Sequence, residues 1–173
     1  VLGGRALFNM FGDDKYTRYE VHSVEGTKNL EAMNVALKKM RELPCDNPLS
    51  WYYQAAMHWI PDTIVNNQLC GWYGNVSQIK DGWDNCTHSP SGKEKLDFLV
   101  WHRLYIWHFE KIVRKLSGYQ QFALPYWDYT NPEHRVLPEM LRNNNTSLYE
   151  ACRFNELNQG KPIAGEIERA LDM

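Results

Sequence analysis

The chain has 173 residues, 43% of them apolar, 13% aromatic and 23% charged, with a formal net charge of −2. That length suits one domain with a real core, and the balanced charge gives no basic stripe interleaved with aromatics of the kind that binds nucleic acid. No apolar run reaches the ~20 residues of a membrane span.

Residues 1–20 lack a clear period and are expected to form an arm or loop. From Thr27 to Leu43 the apolar positions Leu30, Met33, Leu37 and Met40 fall at helical spacing, with charge on the other face, and Pro44 stops the helix. A second helix is predicted over 50–60, with Ser50 as N-cap and Pro61 as stop. It places His58 in its last turn. Residues 62–90 are rich in Asn, Gly and Asp and read as a long loop, a length uncommon unless functional.

The third helix is predicted over 91–117, opened by a capping box at Ser91–Glu94 and closed by Ser117-Gly118. It is apolar around much of its girth, as expected of a helix buried in a bundle, and Phe98, Tyr105, Phe109 and Leu116 share a face with His102. Beyond it, LPYWDYTNP reads as an extended or turn segment punctuated by Asn131-Pro132. A short helix after Pro138, a polar loop at 143–147 and a last helix from about Pro162 complete the expectation.

Four cysteines, Cys45, Cys70, Cys86 and Cys152, are widely spaced with no C-x-x-C, which argues against a zinc ribbon or a thioredoxin motif. They allow two disulfides in three ways, or none, and leave the compartment open. The triplets at Asn75, Asn85, Asn144 and Asn145 match glycosylation acceptors, but Asn is frequent here and they do not establish secretion. The first residue is Val1, so the sequence is expected to be a processed or trimmed product.

Six histidines occur. A single histidine on an apolar helix is commonly a hydrogen-bonded core residue, so position alone assigns none of them to a metal. His108 lies six residues after His102, about 240° around the helix, and points away from it. His22 and His134 have no supporting neighbours in sequence and are expected at the surface. His58 in AMHWIPD, His88 in Cys86-Thr87-His88 and His102 in Trp101-His102-Arg103 stand in richer contexts, followed by Phe109-Glu110 and by Pro125-Tyr126-Trp127-Asp128.

That order of motifs resembles the N-terminal, copper-A half of the tyrosinase and polyphenol oxidase family. The resemblance covers about residues 18 to 160 and is most specific in WHR and PYWD. It implies a mainly α fold, a helical-bundle copper domain with irregular loops and little strand, present here as a single partial domain over 1–173. It implies that His58, His88 and His102 hold one copper, since imidazole nitrogens suit that metal. It also implies a Cys86–His88 thioether that restricts the imidazole, which would leave three cysteines and at most one intrachain disulfide. Arg103 is expected to hold a carboxylate and so fix the ligand helix, with Asp128 or a residue beyond this chain as partner. One departure stands out. His88 and His102 are fourteen residues apart, where the family usually has about nine, and the extra stretch lies in SPSGKEKLD.

The activity so implied is copper- and dioxygen-dependent oxidation of phenols. Monophenols are hydroxylated at the ortho position and o-diphenols are oxidised to o-quinones. The second copper needs three histidines that this sequence does not supply, so a second segment or chain carrying the copper-B histidines is an expected partner. The substrate would be a small phenol or one borne on a peptide. A catechol oxidase without the hydroxylation step and a haemocyanin-like oxygen carrier are the competing readings. A three-histidine zinc hydrolase is a remoter one.

Overall fold

The computed structural model describes residues 16–58 and 95–163, with side chains from Phe98 onward in the second stretch. The expected loop over 62–90, the capping box at 91–94 and the helix expected from Pro162 onward past residue 163 lie outside these residues. The described chain is helical: α1 (Val24–Glu42), α2 (Trp51–His58), α3 (Lys95–Ser117), a 3-10 turn at Pro132–His134, α4 (Glu139–Arg142) and α5 (Asn155–Asn158). Among the described residues the single β feature is a parallel bridge between Glu20 and Tyr126.

Helix α1 begins three residues before the sequence pattern suggests, because Ser23 caps it. The Ser23 hydroxyl accepts from the Gly26 N–H at 3.0 Å and donates to the Glu20 carbonyl at 2.6 Å. Gly26 is fixed by closeness, since a Cβ there would lie 2.0 Å from the Glu20 carbonyl oxygen. The expected stripe is the buried one. Leu30, Leu37 and Met40 are in the core, and Met33 packs against it. Leu43 is extended, as a residue before proline must be.

Helix α3 lies along α1, and its C-terminal half is the buried part. Val113 joins Ala32, Ala36 and Phe122 in a second core cluster. The α3 C-terminus is closed by Gly118 at φ +80°, whose N–H reaches the Arg114 carbonyl at 3.0 Å, and by Lys39 of α1, which donates to the Leu116 carbonyl at 2.6 Å. The N-terminal half differs from the expected buried helix: Leu99 is 69% exposed, Val100 59% and Leu104 52%. The core clusters built on α1 meet α3 from Phe109 onward, so among the described residues the apolar girth of its first turns joins neither cluster.

The PYWD segment is bolted to both long helices by buried polar groups. The Asn29 side-chain oxygen accepts from the Ala123 N–H at 3.1 Å, and Glu110 accepts from the Leu124 N–H at 2.9 Å. Arg18 binds the same Glu110 oxygen at 3.0 Å, and Arg114 donates to the Phe122 carbonyl at 2.6 Å. Buried polar side chains that are fully used in this way specify one path for an irregular segment. Cys45 is disulfide-bonded, whereas Cys152 is a free, exposed thiol.

Candidate metal centre

Helices α2 and α3 bring His58 and His102 together, 44 positions apart in sequence, with their Nε2 atoms 3.3 Å from each other. The ring centroids are 5.4 Å apart and the planes meet at 71°. The His102 Nδ1 lies 2.7 Å from the Phe98 carbonyl one turn back. A carbonyl only accepts, so Nδ1 carries the proton and Nε2 presents its lone pair towards His58. A metal-ligating histidine usually donates its other ring N–H in this way.

The spacing suits a shared metal ion. With bonds of about 2.0–2.1 Å, the value for zinc–imidazole, two nitrogens 3.3 Å apart subtend roughly a tetrahedral angle at the ion. The pair is framed by rings. Phe98 lies 4.2 Å and Trp101 4.9 Å from His102 by centroid, and Tyr105 lies 6.0 Å from His58. These residues therefore fit the imidazole donor set that copper takes. A cleft of about 540 Å³ opens beside them, bounded by Met57, Trp101, Leu104, Tyr105 and His108, but neither His58 nor His102 lines it.

His88 and Cys86 fall outside the described residues, so the third ligand and the thioether are not placed. Arg103 is exposed on α3, and among the described residues it makes no ion pair with Asp128. Asp128 is used locally instead, which leaves a residue beyond the described ones as the other expected partner of Arg103. The Asp128 carboxylate accepts from the Thr130 hydroxyl and from the Thr130 N–H, bracing the turn after PYWD. The Thr130 hydroxyl holds the Asp128 carboxyl below the usual range, with the Thr130 and Asn131 backbone N–H groups and nearby His134 outweighing a rise from desolvation.

His22 is exposed, as expected, and His134 is half-buried. They do have neighbours: both face Glu20, and their rings stack 4.8 Å apart. Nothing in the sequence links His134 to the other two, 112 and 114 positions upstream. Sequence reasoning also missed that the Tyr105 hydroxyl donates to the Gln54 carbonyl at 2.6 Å, tying α3 to α2 beside both histidines.

Known proteins resemble this chain over most of its length. Residues 48–168 match the family model described as the common central domain of tyrosinase. Aureusidin synthase of Antirrhinum majus is 35% identical over 118 residues, covering 68% of this chain and 18% of that protein. Polyphenol oxidase II, chloroplastic, of Ipomoea batatas is 30% identical over 125 residues, covering 68% and 18%. Tyrosinase HcTyr1 of Hahella sp. (strain CCB-MM4) is 30% identical over 122 residues, covering 65% and 25%. The fold resembles that of a recombinantly expressed latent aurone synthase (polyphenol oxidase), with a TM-score of 0.60 at 24% identity over 87% of this chain and 28% of that one. The Grenache (Vitis vinifera) polyphenol oxidase gives a TM-score of 0.53 at 25% identity, over 79% and 36%. The chain thus spans about a fifth of the length of the first of these relatives. Copper is the cofactor of the family, and on the match over residues 48–168 the chain belongs to the tyrosinase family.

Proposed function

We propose that this chain is the copper-A half of a phenol-oxidising enzyme, in which His58, His102 and His88 hold one copper of a coupled pair. The observation that carries the reading is the 3.3 Å approach of two Nε2 atoms within the matched central domain. The bound copper pair would supply dioxygen activation, with ortho-hydroxylation of monophenols and oxidation of o-diphenols to o-quinones.

The chain's own residues orient and shelter the metal. The Phe98 carbonyl fixes the tautomer of His102, and the Tyr105–Gln54 bond sets the two helices against each other. Phe98 and Trp101 crowd the His102 ring and limit its rotation. The second copper's histidines come from a further segment or chain, whose docking would cover the exposed Leu99, Val100 and Leu104. Arg103 would then meet a carboxylate of that segment.

The relatives named above are enzymes, which favours catalysis over reversible oxygen carriage. The test is oxygen uptake and quinone formation by the copper-loaded protein, complete with its second segment, on a monophenol and on a catechol. Quinone from both supports the tyrosinase reading. Quinone from the catechol alone assigns a catechol oxidase, and reversible oxygen binding without quinone assigns a carrier.

A further inference from the structure

Away from His58 and His102, three other side chains converge where the Glu20–Tyr126 bridge meets the turn at Pro132–His134. The His22 Nδ1 is 2.9 Å from Glu20 Oε1, and the His134 Nδ1 is 3.5 Å from the same oxygen. The three donor atoms all lie within 4.8 Å of one another. The His22 backbone N–H holds the other carboxylate oxygen at 2.7 Å, leaving Oε1 turned to the rings.

Two imidazole nitrogens of this cluster converge on one carboxylate oxygen, and one of them is poorly served by hydrogen bonding. The His22 Nε2 lies 3.0 Å from the Val136 carbonyl and must donate to it. In neutral His22 the Nδ1 lone pair then faces a carboxylate oxygen at 2.9 Å, an acceptor against an acceptor. The His134 Nδ1 is buried and has no hydrogen-bond partner among the described residues. A buried nitrogen left in this state calls for an explanation, and an ion is one. Protonating His22 alone makes its Nδ1 a donor to Glu20 but leaves the His134 Nδ1 3.5 Å from the same oxygen, and protonating both rings stacks two cations 4.8 Å apart. One divalent ion held by both Nδ1 atoms and Glu20 would engage both nitrogens at once.

We propose that Glu20, His22 and His134 form a second metal site, separate from the copper site, for a divalent first-row transition ion such as zinc. Two histidines and one carboxylate are an established ligand set for zinc and for iron, with positions left open. The Val136 carbonyl behind His22 is the orienting contact such ligands use. The ion would clamp the segment before α1 to the turn after PYWD.

The test is equilibrium dialysis of the copper-loaded protein against zinc, with both metals counted per chain by elemental mass spectrometry. One zinc per chain beyond the copper is expected. His22→Gln and His134→Gln should each lose that zinc and keep copper, whereas His102→Gln should lose copper and keep zinc. Because substitution at His134 also touches the turn, the unmodified protein is followed in parallel by imidazole NMR, where zinc should shift His22 and His134 and leave His108 in place. No zinc beyond the copper, or zinc that leaves the His22 and His134 signals unmoved, overturns the site.

Discussion

The Tyr105 hydroxyl donates to the Gln54 carbonyl at 2.6 Å, one turn from His102 on α3 and one turn from His58 on α2. One bond therefore sets the distance between the two helices that carry the ligands. Tyr105→Phe keeps the ring and removes the bond. A neutral hydrogen bond contributes about 0.5–1.5 kcal/mol, so copper affinity should fall by roughly two- to tenfold at little cost to helix content. Competition with a chelating dye reads the affinity, and an unchanged value would show that packing alone holds the helices together.

The two histidines on α3 should separate cleanly. His102 meets His58 Nε2 to Nε2, whereas His108 is exposed and faces the cleft beside the site. His102→Gln should strip the copper and abolish phenol oxidation, and His108→Gln should leave the copper content intact. Copper lost equally from both variants would mean that the ligand assignment on this helix is wrong.

Much of this site was legible because its signals are local. The stripe Leu30, Met33, Leu37 and Met40 and the WHR and PYWD motifs are fixed by neighbouring residues. The cap at Ser23 was missed because its partner, the Glu20 carbonyl, belongs to a segment without a period. The exposure of Leu99 and Val100 was missed for a different reason: the apolar pattern reports what a helix can bury, not whether a neighbour is there to cover it. The Glu20–His22–His134 cluster depends on the bridge to Tyr126, and no spacing rule connects residues so far apart.

Glu110 is 5% exposed and serves two partners, Arg18 and the Leu124 N–H. Glu110→Ala leaves that N–H without its acceptor and frees the arginine. Arg18 is half-exposed and can turn to water, so the loss should stay near the ~1–3 kcal/mol of one unsatisfied buried group rather than that of a buried ion pair. Urea unfolding at a constant slope would read it. A change below the fitting error would remove Glu110 from the account of how PYWD is held.

Asp128 makes the turn after PYWD sensitive to acid. Its carboxyl sits below the usual range, chiefly through the Thr130 hydroxyl. A carboxyl lowered in the fold adds stability that is complete above its unfolded value of about 3.9 and is lost as pH falls through the folded value. Amide exchange at Thr130 and Asn131 should therefore show added opening of the turn as pH drops below about 4, beyond the intrinsic pH dependence of exchange. In Asp128→Asn that extra opening should be absent. Identical acid profiles in both proteins would assign the protection to the backbone bonds alone.

The cysteines give a last prediction. Cys45 is disulfide-bonded and Cys152 is free and exposed. A thioether between Cys86 and His88, as the family resemblance implies, would consume a third sulfur and leave Cys70 as the partner of Cys45. Its formation joins sulfur to a ring carbon with loss of two hydrogens, a two-electron oxidation for which bound copper and dioxygen are the available oxidant. Alkylation of the copper-matured native protein should then label Cys152 alone, and alkylation after reduction should add Cys45 and Cys70 but never Cys86. The peptide holding Cys86 and His88 should be two hydrogens lighter than its sequence mass. A Cys86 that alkylates after reduction would place it in a disulfide or as a free thiol, and the thioether would be ruled out.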